Sequence, residues 1–357
     1  MTGPLAAGEL IGGRYRVERY IDEGGMQFVY AARDELAERL VALKTPKNKS
    51  ATKRFHRGAV VAAKVNHPNV AKTLDYVIDG QERYLIEELI AGLDLDKALL
   101  RRSSFLDPYL AARVFHHLAK GIGAAHHAQV VHRDLKPTNI MVVGGYSLSE
   151  IKITDFGIAK LAGDEIDSAA EKGDMTLSKT AVGAVPYMAP ESVMAEDAVG
   201  APADIWSLGA MMYQLLCGVL PFGSGLRAVA KILEGPPPPP PAFLAANRQF
   251  STLAGQLVDL ALACMRRDPN DRPKADDLVR DCSALCYSVA QRREGVVKRV
   301  EHNAWGFIQT DAADVFFNQQ SLYGPGKLEV GDHVLFSAYE GGGAARAHPV
   351  VKLVAPR

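Results

Sequence analysis

Hydrophobic and polar positions alternate in short runs through residues 14–45, where RYRVERYI, FVYAARD and LVALK surround a glycine pair. A period of two in segments rich in β-branched and aromatic residues predicts an antiparallel sheet. From about 51 to 65 the spacing changes, and TKRFHRGAVVAAKV has the three- and four-residue recurrence of a helix that HPN at 67–69 ends. A second β pair is predicted over 71–90. After Gly92 the pattern is helical, in LDKALLRR, PYLAARVFHHLAKGIGAAHHA, ADIWSLGAMMYQLLCGVL and STLAGQLVDLALACMRR. A small β-rich unit therefore precedes a larger helical one. The last sixty or so residues return to alternation, with turns at YGPGK, VGD and EGGG.

Two segments read as connectors. GPPPPPP at 235–241 is a stiff polyproline II run between two predicted helices, and it lacks the adjacent basic residues of a docking motif. SVAQRREG near 288–295 is polar and marks a domain boundary. Against this pattern, VVHRDLKPTNIMVV at 130–143 stands out. Two core-like runs bracket Asp134, Lys136 and Asn139, so the polar cluster sits on a rigidly held loop, the setting in which chemistry concentrates.

Composition narrows the choices. The chain has 357 residues, 48% apolar and 23% charged, enough for two or three domains. Lysines plus arginines number 41 and so do the acids, so global charge points to neither a nucleic-acid nor a membrane partner. Cys217, Cys264, Cys282 and Cys286 lack zinc-site spacing; Cys282 and Cys286, four apart, are expected on one helix face as small buried residues. No run of 18 apolar residues and no leader-like N-terminus occurs, which predicts a cytoplasmic protein without a membrane partner.

Four more pieces follow the loop's logic: VALK ends a strand with Lys44, DFG begins with Asp155, and APE (189–191) and DIWSLG (204–209) come after. Metal-bound phosphate needs oxygen ligands, which Asn139 and Asp155 would give. Phosphoryl oxygens need cations, which Lys44 and Lys136 would give, and Asp134 is left to accept the attacking hydroxyl's proton.

This set, in this order, resembles the protein kinase family over residues 14 to about 287. The resemblance implies an α+β, two-lobed kinase fold (small lobe 14–91, large lobe 92–287) after an N-terminal extension of 1–13. It implies ATP and Mg2+, with Asp134 and Lys136 catalytic and Asn139 and Asp155 on the metal. Ile21, Asp22, Gly24, Gly25, Val29, Ala42, Lys44, Glu87 and Glu88 would line the nucleotide site. LKPTN looks like the Ser/Thr-directed branch, and VGAVPYMAPE looks most like bacterial Ser/Thr kinases. Protein substrates follow, as does a buried pair between Glu191 and Arg272; oligomeric state stays open. Thr176, Ser178 and Thr180 in MTLSKT would be activation-loop phosphosites, with Arg133 as the docking arginine.

The family pattern is broken in three places. Its G-x-G-x-x-G is occupied by Asp22, Gly24 and Gln27, which predicts weaker nucleotide affinity and a negative charge brought towards an anion. Its small-lobe-helix glutamate, nine residues before His67, is Gly58, and no acid occurs between Glu38 and Asp75. Glu87 instead occupies the back of the nucleotide pocket, where it could neutralise Lys44; a strand register shifted by one would leave it facing solvent. Ala184 replaces a threonine that steadies the catalytic aspartate. Every group that touches metal or γ-phosphate is kept, which favours an active kinase over a pseudokinase scaffold.

The tail, joined by a linker at 288–294, resembles over 295–357 the cold-shock domain, a five-stranded OB-type barrel. Alternation puts Trp305, Phe307 and Phe316 on one face and Ile308, Val315 and Phe317 inside. In that family such aromatics stack on single-stranded nucleic acid. Asn318 and Gln319 depart from its pattern, and six basic residues against six acids give no basic face. The alternative is a protein-interaction barrel, docked on the kinase or on a partner with those aromatics buried.

Overall fold

In a computed structural model describing residues 3–23, 27–47, 52–156, 183–194 and 199–354, the N-terminal alternation folds as a six-stranded antiparallel sheet. Its strands are β1 (Leu10–Ile11), β2 (Tyr15–Glu23), β3 (Gln27–Asp34), β4 (Arg39–Pro46), β5 (Thr73–Asp79) and β6 (Glu82–Glu88), in the order β1-β2-β3-β4-β6-β5. Pairing of β1 with β2 draws part of the segment before residue 14 into the sheet. One face carries Tyr15, Val17, Tyr30, Val41, Leu43, Tyr84 and Ile86, the small lobe's own core. On the other, α1 (Thr52–Ala62) packs Phe55 and Ala59 against Leu85.

The large lobe begins after the short strand β7 (Leu93–Asp94) and a π-type turn at Asp96–Leu100. Asp107 caps α2 (Pro108–His127), accepting from the Tyr109 and Leu110 amides, with a proline in the first helical position. β8 (Ile140–Val143) pairs with β7 on one side and with β9 (Glu150–Ile153) on the other, all antiparallel. The helices α3 (Pro190–Val193), α4 (Ala201–Cys217), α5 (Leu226–Glu234), α6 (Phe243–Ala246), α7 (Arg248–Cys264) and α8 (Ala275–Ser283) complete the lobe. Gly218, at φ 71°, ends α4 in the left-handed conformation that glycine adopts without strain. The proline run is the expected connector between α5 and α6, and the Tyr213 hydroxyl donates to the Pro238 carbonyl at 2.8 Å. One expectation fails: α8 stops at Ser283, so Cys286 lies beyond the helix and is exposed while Cys282 is buried. Leu285 and Tyr287 turn instead onto the lobe's core.

The tail closes into a five-stranded barrel of β10 (Arg293–Glu301), β11 (Trp305–Gln309), β12 (Val315–Asn318), β13 (His333–Tyr339) and β14 (Arg346–Lys352), in the order β10-β11-β12-β14-β13. β12 and β14 run parallel, and β13 pairs with β10 to close the cylinder. Val297, Ile308, Val315, Phe317, Val334, Phe336 and Val350 fill it.

The polar stretch read as a linker is bound to the large lobe, and β10 begins at Arg293. Arg292 is buried and donates to both oxygens of Asp107, the α2 cap, at 2.7 and 2.8 Å. Next to it Arg102 and Glu294 form a two-bond pair at 2.7 and 2.8 Å. Tyr323 enters the large-lobe core, edge-on to Phe105, Phe243 and Phe250, and His348 stacks on Phe250 at 5.0 Å. The Asn247 amide reaches the Gln320 and Leu322 carbonyls. Lobe and barrel share one core. Among the described residues no helix is long and apolar enough to cross a membrane.

Candidate active site

The cleft face of the small-lobe sheet follows from its register. Val29 pairs with Lys44, Ala42 with Glu87, and Lys44 with Leu85, so these side chains and Gln27 share one face. Lys44 and Glu87 are thereby diagonal neighbours on adjacent strands. Their ion pair measures 2.6 Å, with both side chains buried. A register shifted by one would have turned Glu87 to the other face. Lys44 also lies 2.8 Å from Asp155 Oδ1, and the same oxygen accepts from Gln27 Nε2 at 2.6 Å. Among the described residues, Asp155 Oδ2 has only a long contact, 3.4 Å, from the Thr154 hydroxyl. Gln27 is buried, and its Oε1 has no partner among the described residues.

One ammonium thus faces two carboxylates, with Lys44 and Glu87 buried and Asp155 partly exposed. Burial acts to lower the Lys44 pKa, but Asp155 and Glu87 outweigh it, and the amine is held charged well above its ordinary value. Burial likewise acts to raise Asp155, and Lys44 with the Gln27 amide brings it below the usual carboxylate range. Glu87 is raised, because burial and the nearby Asp155 together exceed the help it receives from Lys44. The cluster carries an excess negative charge that suits a cation.

Below the sheet, the loop between α2 and β8 is held from underneath. Asp204 of α4 is fully buried and accepts from the His132 and Arg133 amides at 2.8 and 2.7 Å, and pairs with His126 Nε2 at 2.9 Å. This fixes Arg133 at φ 68°, a conformation a side-chain-bearing residue adopts only under constraint. The Asp134 amide donates to His132 Nδ1 at 3.2 Å, which puts the ring hydrogen on Nε2, where it is donated to the Thr154 carbonyl at 2.8 Å. The His132 ring meets Phe156 edge-on at 4.6 Å.

Asp134 accepts from Lys136 Nζ at 3.0 and 2.7 Å. The Asn139 amide nitrogen donates to the Asp134 carbonyl and carboxylate at 2.8 and 3.1 Å, which leaves the Asn139 amide oxygen for a cation. The Thr154 amide and hydroxyl both donate to the Asn139 carbonyl, so the segment leading to Asp155 is tied to this loop. The lone pairs left on Asn139 and Asp155 are oxygen donors, the chemistry a hard divalent cation takes.

The remaining sequence-derived positions fall around this centre. Ala42 is buried under the cleft, Val29 is half-buried, and Ile21 is 37% exposed on β2. Asp22, expected to set a charge against the anion, is turned to Lys97 at 3.3 Å. Glu88 accepts from the Lys72 amide at 2.8 Å and from Lys152 at 2.6 Å. Glu191 and Arg272 form the expected buried pair at 2.6 and 2.9 Å. Ala184 is buried. Gly24, Gly25, Thr176, Ser178 and Thr180 lie outside the described residues. Sequence reading gave no role to Asp204, although it begins DIWSLG, and took Gln27 only for a missing glycine.

On the barrel, Trp305, Phe307 and Phe316 are half-buried and gathered, with ring centroids 5.8–6.2 Å apart. The Arg299 guanidinium lies 4.5 Å above Phe307. The barrel meets the large lobe through Tyr323, Leu335, His348, Val351 and Leu353, so the alternative in which the barrel docks on the kinase with these three rings buried does not hold; burial on a partner is the other form of that alternative.

The model of the protein kinase domain matches residues 15–282. The chain belongs to the protein kinase family. Family membership implies ATP and a divalent metal. Among curated proteins, the chain is similar to Serine/threonine-protein kinase PkaA of Streptomyces coelicolor, 28% identical over 321 residues, covering 85% of this chain and 55% of PkaA. Serine/threonine-protein kinase pkn3 of Myxococcus xanthus is 33% identical over 279 residues, 74% of this chain and 48% of pkn3. Serine/threonine-protein kinase PknA of Mycobacterium tuberculosis is 35% identical over 242 residues, 64% of this chain and 53% of PknA. The chain thus spans about half the length of these curated relatives.

Proposed function

We propose that the chain is a serine/threonine protein kinase that transfers the ATP γ-phosphoryl group to protein hydroxyls, its own activation loop among them. The observation that carries this reading is the convergence of Asp134, Lys136 and Asn139 on one anchored loop beneath the Lys44–Asp155 pair. Asp134 accepts the proton of the substrate hydroxyl. Lys136, already 2.7 Å from that carboxylate, neutralises charge on the transferred group. Lys44 binds the α- and β-phosphates, and Ile21, Val29 and Ala42 enclose the base against Glu88 of the hinge. Asn139 and Asp155 are the residues that would hold magnesium, which neutralises and orients the phosphates when bound. The pseudokinase alternative has little support, because each of these groups is in place.

The test is intact mass after incubation with magnesium ATP, on phosphate-free preparations of wild type and Asp155→Asn. Added phosphates in wild type only, mapped to Thr176, Ser178 or Thr180, are the expected result. Unchanged mass in wild type with a supplied protein substrate also left unmodified would remove the kinase reading.

For the barrel, the strand order and the parallel β12–β14 pairing support an OB-type, cold-shock-like assignment. The gathered Trp305, Phe307 and Phe316, with Arg299 alongside, support stacking on bases of a single strand. A pyrimidine-rich DNA oligonucleotide should quench Trp305 fluorescence in a salt-dependent way. Phe307→Ala should weaken binding by about 1–3 kcal/mol, the usual worth of one stacked base. Equal affinity in that variant would leave the barrel to a protein partner. The buried thiols of Cys217, Cys264 and Cys282 support a reducing, cytoplasmic setting.

A further inference from the structure

Lys44 has two carboxylates, and the proposed reaction asks one of them to serve elsewhere. Asp155 is a ligand for the metal in that reading, and an oxygen shared with a divalent cation is a poorer partner for an ammonium. A buried lysine left with Asp155 alone would have to follow it or lose its compensation. Glu87 removes that conflict. It is 3% exposed, sits on the strand next to Lys44, and reaches its ammonium at 2.6 Å.

The helix over this face offers no substitute. From Thr52 to Ala62 α1 reads TKRFHRGAVVA, without an acid, and it meets the sheet through Phe55 and Ala59 against Leu85. Lys44 and Glu87, by contrast, stand on strands that hydrogen-bond to each other, so the ladder sets the reach between them and helix packing does not.

We propose that Glu87 is the residue that positions Lys44 for the nucleotide phosphates, and that α1 takes no part in setting that lysine. The proposal rests on the kinase reading and deepens it. Asp155 is left to the metal, Glu87 keeps the ammonium in place, and Gln27 Nε2 donates to Asp155 Oδ1 at 2.6 Å. The phosphate cation is then permanently set by the sheet, and movement of α1 leaves it unchanged.

The experiment compares the full chain with Glu87→Gln, Glu87→Asp and Phe55→Ala, measuring magnesium-ADP affinity by calorimetry, steady-state phosphotransfer and Tm. Glu87→Gln keeps the shape and removes the charge; the expected result is an affinity about tenfold or more weaker, the scale of one charge-assisted contact, at a Tm near that of wild type. Glu87→Asp should recover part of the loss. Phe55→Ala should lower Tm while leaving nucleotide affinity within about twofold of wild type, because it loosens α1 alone. If Glu87→Gln binds as wild type does, or if Phe55→Ala loses as much affinity as Glu87→Gln, the proposal is overturned. Should Glu87→Gln fail to fold, Glu87→Asp carries the test, and unchanged affinity in it overturns the proposal equally. Wild type that binds magnesium-ADP but transfers no phosphate sinks the kinase reading while the binding comparison still decides the role of Glu87; wild type that binds no nucleotide sinks both.

Discussion

Asp204 shows how much one buried carboxylate organises. Its two oxygens satisfy the His132 and Arg133 amides and the His126 ring, and this holds the backbone one residue ahead of Asp134 in a left-handed turn. An amide of the same shape presents an NH2 to one of those donors. Asp204→Asn should therefore cost roughly 2–3 kcal/mol of stability, the loss of one charge-assisted bond to a group left buried. Turnover should fall by about a hundredfold through displacement of Asp134, while nucleotide affinity changes little. Denaturant unfolding and steady-state kinetics check the two halves separately, and a fall in nucleotide affinity to match turnover would argue against a local effect. Legibility at this scale divides along sequence distance. Asp134, Lys136 and Asn139 could be read together because six consecutive residues contain them. The Gln27–Asp155 bond joins residues 128 apart across two lobes, and nothing in the local pattern of either announces it. Glu87 was half legible: period two offered two faces, and only the observed register decides between them.

At the scale of elements, α2 links the barrel to the loop that carries Asp134. Its first turn is capped by Asp107, which also receives Arg292 from the segment ahead of β10. At its other end His126 meets Asp204. Arg292→Ala would leave the Asp107 carboxylate buried and without its cation, and a broken buried pair costs about 3–5 kcal/mol. The expected outcome is a Tm lower by several degrees, and replacing both residues by apolar ones (Arg292→Met with Asp107→Leu) should recover only part, because the helix cap is then also lost. Helices and strands were largely readable from their periods. The exception at α8 has a mechanical cause: Leu285 and Tyr287 pack on the lobe, and the chain must turn there to bring Arg292 to Asp107. The polar stretch before the barrel was misread for a related reason. Polarity signals solvent only when no buried partner waits, and here the partner lies 185 residues away in sequence.

For the whole molecule, the two-lobed domain and the barrel were both legible as units, but not as one unit. The residues that join them (Tyr323, His348, Phe105, Phe243, Phe250) are aromatic positions ordinary in their own segments, and no pattern within either segment reveals a mutual surface. The match to the protein kinase domain ends at residue 282, while the core of the large lobe runs on through Tyr323, Leu335, Val351 and Leu353. The segment that matches the kinase domain is therefore smaller than the segment that packs around its core. A cut drawn at the end of that match would pass through the middle of a hydrophobic core, and the barrel is better regarded as the last layer of this kinase domain than as a passenger behind it.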